Sequence, residues 1–264
     1  LLLVSNMGDF LAVANEIGTP GKSPLVAALE SVQSYDLLPK LGLYTLAFIA
    51  EKVTLISEVL PVQIGLKTIA PVVFGGLIPG ALLSATAETV GAAVNFFIGR
   101  AFFTHCVRSR TFFWDTKPLG EAPWFGRLER AAEKDGFQLT LLLRLSHILP
   151  IPFDACWYIL GALPVRPWEF VAAHWLGCLK TAFLDACLGL LLLKSAGLSM
   201  GGEEKPHIIA AKSIAFAVVA FLVQSSATNL AKDILGLEDT LKEGSENGDV
   251  PDKPKQPGDG AASV

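Results

Sequence analysis

Proline and glycine interrupt stretches of this chain that are otherwise apolar enough to sit in hydrocarbon. Residues 61–80, PVQIGLKTIAPVVFGGLIPG, carry Pro61, Pro71, Pro79 and the Gly75–Gly76 pair, and residues 144–161, RLSHILPIPFDACWYILG, carry Pro150 and Pro152 one residue apart. No straight helix runs through either set, because each proline lacks an N–H and restricts the residue before it. The rest of the chain reads as a surface made for lipid. Of 264 residues, 52% are hydrophobic and only 17% charged, with a mean hydropathy of +0.49, whereas a soluble domain usually carries about 25% charge. In lipid, backbone that leaves helical geometry is tolerated only where protein or a water-filled cavity receives its polar groups.

The charges in these segments carry the same message. At about 2.5 to 3.5 kcal/mol each on insertion scales, Arg144, Asp154, Lys180 and Asp185 would together cost about 10 to 14 kcal/mol facing lipid. That rivals the whole stability of a typical domain, about 5 to 15 kcal/mol, so these side chains face inward.

Three unbroken apolar runs accompany the broken ones: Ala81 to Phe103, Trp168 to Leu193 and Ile208 to Leu230. Each is long enough to cross a hydrocarbon core of about 30 Å. A first helix, lying in or across the membrane, is predicted from Leu37 to Leu60, interrupted by Glu51, Lys52 and Glu58. Two broken segments thus each precede an unbroken one, the pattern of an inverted repeat with re-entrant segments. The fold expected is an all-α polytopic bundle with two opposed re-entrant hairpins, Pro61 to Gly80 and Phe137 to Gly161, whose tips meet within the membrane.

Residues 1–36 read as a flexible lead-in, 37–235 as the transmembrane domain and 236–264 as a disordered acidic tail. From Glu238 onward there are seven acidic and three basic residues, which accounts for the whole net charge of −4. The remainder is neutral, which argues against a nucleic-acid partner. The chain opens on Leu1 rather than Met, so a segment ahead of it is expected. Between Arg100 and Lys134 stand seven Lys/Arg, and this polar loop, 104–136, is expected on the cytosolic or stromal side. Within it, Trp124 to Lys134 reads as a short interfacial helix. Trp114, Trp124, Trp157, Trp168 and Tyr158 mostly flank apolar segments, as interfacial anchors do.

Cys106, Cys156, Cys178 and Cys187 form no CxxC pair and no metal-ligand spacing, and act as small apolar residues. No nucleophile elbow, phosphate loop or zinc motif occurs in the sequence. Neither enzyme activity, nor a cofactor, nor a metal is expected.

LLLRLSHILPIPFDACWYILGALPV followed by WLGCLKTAFLDACLG resembles the SNARE-associated Golgi protein family (DedA-like proteins, VTT domain). GAAVNFFIGR, upstream, resembles that family's glycine-rich helix ending in Gly-Arg. The LPIP variant followed by LGxLKxxxLDxxLG resembles most the plastid and cyanobacterial type. The likeness covers about residues 55–194. It implies a multi-pass membrane protein with two opposed re-entrant hairpins, in a plastid envelope or thylakoid membrane or else an endomembrane. It also implies phospholipids as partners, with protons as a coupling ion and a homo-oligomer as further expectations. Members commonly carry Asn-Tyr where this chain has Trp157-Tyr158, and many have proline at His147, so the lipid is left open.

Each candidate site residue has two readings. Arg144 matches the family's arginine and would hold a lipid phosphate in its guanidinium fork; alternatively it ties hairpin carbonyls or Asp154. Asp154 is a protonatable carboxylate or the fixed partner of Arg144. Glu88 shares one helical face with Ser84, Gly91 and Asn95, which suits a cavity lining, where it would serve a proton or the substrate, or close helix packing. Arg100 ends its own helix, where a cation complements the dipole or marks topology. His174, Cys178, Thr181 and Asp185 share another face, from which Lys180 points away, so Lys180 and Asp185 each meet a partner on a different segment. His174 and His147 read as satisfied core histidines or as groups titrating near neutrality. Pro150, Pro152 and Tyr158 complete the set as the break and its flank.

The leading function is a lipid scramblase or flippase-like transporter that passes a phosphate head group along a polar groove between the hairpins. The alternatives are a proton-coupled small-ion or solute transporter, and a non-transporting membrane organiser.

Overall fold

The computed structural model describes residues 34–104, 121, 123–146, 149, 152–195 and 206–235. Almost all of the 1–36 lead-in, most of the basic loop and the 236–264 tail lie outside these residues, as do Cys106, Trp114, His147 and Pro150. All regular structure among the described residues is helical.

Helix α1 (Leu37–Thr54) ends at Leu55, a non-glycine residue in the left-handed region (φ 55°), and a single 3-10 turn (Ile56–Glu58) follows. Helix α2 (Val62–Phe74) continues through Pro71 and stops at Gly75 and Gly76, with φ of 75° and 152°. These are angles that residues with a Cβ rarely adopt, which is why two glycines stand there. Helix α3 (Leu77–Ile98) then runs the length of the molecule and ends in a π-helical turn, Gly99–Phe103.

Beyond the basic loop come α4 (Pro123–Lys134), α5 (Gly136–Leu145), α6 (Ala155–Ala162), α7 (Pro167–Ser195) and α8 (Pro206–Leu235). Three of these begin on proline, whose missing N–H costs nothing at a helix's first position. The Asp135 carboxylate accepts from the Gln138 N–H at 2.8 Å and caps α5.

Among the described residues, three helical segments have the length and hydropathy to cross a membrane: Leu77–Phe103, Pro167–Leu192 and His207–Ile234. They coincide with the three runs read from the sequence. Helices α2 and α5 are apolar but short, 13 and 10 residues. At 1.5 Å per residue they reach only about 20 and 15 Å, well under the ~30 Å of a hydrocarbon core.

The first broken segment is therefore α2, the glycine turn and the opening turn of a full span, rather than a self-contained hairpin. The second holds α5 and α6, with the chain leaving the helix at Ser146 and turning at Phe153 and Asp154 into α6. The end of the second break lies against the start of the first. The Asp154 N–H donates to the Glu58 carboxylate at 2.7 Å. Glu58 lies before α2, and the Gly75–Gly76 turn is at its far end.

Helices α3 and α7 pack together at the centre, with α1, α2, α5 and α6 around them. One apolar cluster gathers Phe96, Phe125, Leu128, Trp157, Leu160 and Phe170; a second gathers Tyr44, Phe48, Ala70 and Ala87. Glycine permits close crossings. A Cβ on Gly99 would strike the Tyr158 carbonyl, and one on Gly161 would strike the Phe96 carbonyl, so α3 and α6 touch backbone to backbone.

Two expectations change here. Trp157 is no interfacial anchor: it is fully buried, edge-on to Phe153 and His174, and its indole N–H donates to Asp154 at 3.0 Å. Trp168, 61% exposed, fits the anchor description. Helix α4 exists as predicted, but Phe125, Leu128 and Ala132 bury its apolar stripe in the protein core rather than leaving it for lipid. Helix α8 shows the opposite surface, with Ile214, Val218, Val219, Phe221 and Leu222 all exposed. A helix this apolar and this exposed has lipid as its natural solvent.

Candidate functional site

The polar stripe read on α3 is buried along its whole length: Ser84, Glu88, Gly91 and Asn95 all face the interior. Ser84 Oγ accepts from the Tyr44 hydroxyl at 3.0 Å, and Asn95 Nδ2 donates to the Lys52 carbonyl at 2.8 Å. A Cβ on Gly91 would lie 2.9 Å from the Phe48 carbonyl oxygen and 3.1 Å from Lys52 Cγ. The glycine therefore lets α1 lie against α3 and leaves a channel for the Lys52 stem.

Glu88 is the hub. Arg144 Nη2, from α5, lies 2.5 Å from its Oε1; Lys67 Nζ, from α2, lies 2.9 Å from its Oε2. Lys52 Nζ, from α1, stands 3.6 Å from Oε1, and the Gln63 amide donates to the same oxygen. Lys52 also reaches Asp154 Oδ1 at 2.8 Å and Glu51 Oε2 at 3.5 Å. Six charged side chains from α1, α2, α3, α5 and the turn before α6 thus form one network, and all six are buried. Such a network persists only when each charge has a partner, because a lone buried ion is prohibitively costly.

A second layer surrounds Arg144. Its Nε–H donates to Cys178 Sγ at 3.3 Å, and its Cζ lies 4.9 Å from the centre of the Phe153 ring. A Cβ on Gly177 would run into the Arg144 stem, so that glycine makes room for the arginine. His174 Nδ1 lies 3.2 Å from Cys178 Sγ and 3.3 Å from Thr89 Oγ1, while its Nε2 is buried without a hydrogen-bond partner among the described residues. Lys67 donates to Thr181 Oγ1 at 3.1 Å. The α7 face read from sequence (His174, Cys178, Thr181) therefore lines the network.

The site residues expected from sequence divide in their placement. Glu88, Asn95, Arg144 and Asp154 meet in the network. Arg144 does not pair with Asp154, however; its acid is Glu88, and the cation of Asp154 is Lys52. Asp154 stands at the N-terminus of α6 and meets α1 through Lys52.

Lys180 does meet another segment, donating to Gln224 of α8 at 2.9 Å. Asp185 lies half-buried on α7, within Coulombic range of Lys67, Glu88 and Arg144, and forms no hydrogen bond or ion pair among the described residues. Arg100 stands apart from the network and caps α6: it donates to the carbonyls of Gly161, Leu163 and Val165 at 3.2, 3.1 and 2.5 Å. Tyr158 is equally structural, its hydroxyl donating to the Val53 carbonyl at 3.2 Å. Pro152 sits half-buried ahead of α6, and Pro150 lies outside the described residues.

Sequence reasoning missed Lys52 and Lys67 as site residues. The signal was the one applied to Arg144, a cation inside an apolar segment. Among the described residues, no group of three or more His, Cys, Asp or Glu side chains could hold a metal ion.

A buried network of this kind, held by helices too short to cross and by helices long enough to do so, is the interior of an integral membrane protein. No curated protein and no solved structure matches the chain. The VTT domain matches residues 60–191, half of the chain, and spans α2 to α6 and nearly all of α7. The chain belongs to the VTT domain family, the SNARE-associated or DedA family of transporter-like membrane proteins.

Proposed function

We propose that this protein moves phosphate-headed lipids between leaflets, as a scramblase or flippase-like transporter, along the polar seam where its interrupted segments meet. One observation carries the reading: Lys67 from one short helix and Arg144 from the other converge on a single buried carboxylate, Glu88. A phosphate presents the same kind of oxygens to a guanidinium and an ammonium as a carboxylate does. A lipid head group can therefore replace Glu88 as their partner in passing, while its tails stay in hydrocarbon. Helices α2 and α5 act in this reading as opposed re-entrant segments, since neither reaches across the bilayer.

The test is reconstitution into vesicles with fluorescent-headed phospholipids and a membrane-impermeant quencher. The expected result is protein-dependent quenching of inner-leaflet lipid, lost in Lys67→Gln/Arg144→Gln protein that remains folded. Transport of a small phosphate ester with no lipid movement would replace this reading by a solute transporter. The compartment proposed is a plastid membrane, on the resemblance of the LPIP and LGCLKTAFLD stretches. Finding the tagged chain in another membrane on fractionation would end that assignment.

A further inference from the structure

We infer that Lys180 and Gln224 form a lipid site on the seam between α7 and α8, which selects phosphate head groups of net negative charge. The inference rests on the transport reading above and names the class of lipid that this reading leaves open.

Lys180 stands at the middle of the span Pro167–Leu192. At 1.5 Å per residue either end is about 20 Å away, beyond the reach of a lysine stem, so its ammonium does not snorkel to water. A cation at that depth needs a partner. Its hydrogen-bond partner among the described residues is neutral: Nζ donates to the side-chain oxygen of Gln224, on α8, at 2.9 Å. An ammonium has three donors, so this bond leaves capacity for a ligand. The charges within Coulombic range of Lys180 are Arg144 and Lys67, both cations. Asp185, on the same helix, answers instead to Lys67, Glu88 and Arg144. The seam therefore carries positive charge that no carboxylate offsets among the described residues, and an anion would offset it.

The surroundings suit a lipid. Lys180 and Gln224 are both half-buried, and Leu176, Phe221 and Val223, each within about a turn of the pair, are exposed. Gln224 shares one face of α8 with Ala220, Ala227 and Ala231, all three buried. Small residues alone let two helices close on each other, so a lysine at this depth adds a charge that packing does not call for. The seam also adjoins the network. Thr181, next to Lys180, accepts from Lys67, and Ala227 and Ala231 pack on Leu142 of α5, the helix that carries Arg144. Helix α8 lies beyond the residues that match the VTT domain, so Gln224 belongs to this chain rather than to the family's shared part.

Such a site reads net charge. Every phospholipid brings a phosphate, which an ammonium holds by a charge-assisted bond. A choline head also brings a cation, which meets Lys180, Arg144 and Lys67 with no acid at the seam to receive it. A glycerol head brings none.

The full chain is tested in two ways. In neutral detergent, phosphatidylglycerol should raise the thermal midpoint more than the same amount of phosphatidylcholine, because a ligand that binds only the folded state stabilises it. Lys180→Met should remove that difference. Gln224→Glu should remove it too, because its carboxylate occupies the ammonium, and the added ion pair keeps this variant folded should Lys180→Met fail. In vesicles with an impermeant quencher, acyl-labelled phosphatidylglycerol is expected to cross about fivefold faster than acyl-labelled phosphatidylcholine in wild type, and at a similar rate in both variants.

Equal midpoint shifts or equal rates for the two lipids in wild type overturn the inference, as does a preference that survives both substitutions. A wild-type shift of the same size with glycerol phosphate overturns it as well, since the ligand is then a soluble phosphate. Vesicles with no lipid movement, beside a midpoint difference that needs Lys180, would remove the transport reading and keep the site.

Discussion

Glu88→Gln should abolish the folded state rather than weaken it. The amide keeps the shape but not the charge, leaving Lys52, Lys67 and Arg144 with only Glu51 and Asp154 as acids. Neither of these forms an ion pair with Lys67 or Arg144. Breaking a single buried pair costs about 3 to 5 kcal/mol, and Glu88 takes part in three, so the loss should consume most of a stability of about 5 to 15 kcal/mol. Glu88→Asp is expected to fall between, because the shorter carboxylate cannot stay in contact with cations arriving from α1, α2 and α5 together. Size-exclusion profiles and thermal unfolding in detergent measure both variants. A Glu88→Gln protein that is monodisperse and within about 1 kcal/mol of wild type would show that the network is not what holds these helices together.

What the sequence allowed to be read, and what it did not, follows from which signals are local. The three spans were legible because a continuous apolar run depends on no partner. The stripe Ser84, Glu88, Gly91, Asn95 and the face His174, Cys178, Thr181 were legible because 3.6-residue periodicity places side chains on one side of a helix whatever packs there. The broken segments were legible from Pro and Gly, although their geometry was not.

Pairing was the failure. Arg144 and Asp154 stand ten positions apart, and nearness in sequence made them partners on paper. Asp154 meets α1 instead, where its cation is 102 residues away. Lys52 passed unnoticed because Glu51, Lys52 and Glu58 together resemble the wet end of a helix. Only the tertiary structure shows α1 bringing its last turns against α3. Trp157 was misread for the same reason: an aromatic flanking an apolar segment is either an anchor or a core residue, and its bond to Asp154 decides which.

Arg144 offers the sharpest separation of structure from function, and the network changes which second substitution must rescue it. Arg144→Ala removes the 2.5 Å contact to Glu88, the bond to Cys178 and the stacking over Phe153. A loss of about 3 to 5 kcal/mol is expected, because Glu88 keeps Lys67 and Lys52 but the three buried acids are left with two cations. Glu88→Gln in the same chain should recover part of that loss, although Lys67 then lacks its acid, whereas Asp154→Asn should recover less, because Arg144 forms no ion pair with it and Lys52 loses its nearest partner. In double-mutant cycles the Arg144–Glu88 coupling is expected at about 2 to 3 kcal/mol and the Arg144–Asp154 coupling below about 1 kcal/mol. The reverse ranking would refute the assigned pairing.

Function is then read on the rescued protein. If Arg144 only neutralises Glu88, Arg144→Ala/Glu88→Gln folds and moves lipid at the wild-type rate. If its fork also receives the phosphate, the double variant folds yet fails to move lipid, and Arg144→Lys keeps partial activity because it retains the charge without the planar fork. Full lipid movement by a folded double variant would leave Arg144 a structural residue and shift phosphate recognition to Lys67 and Lys52.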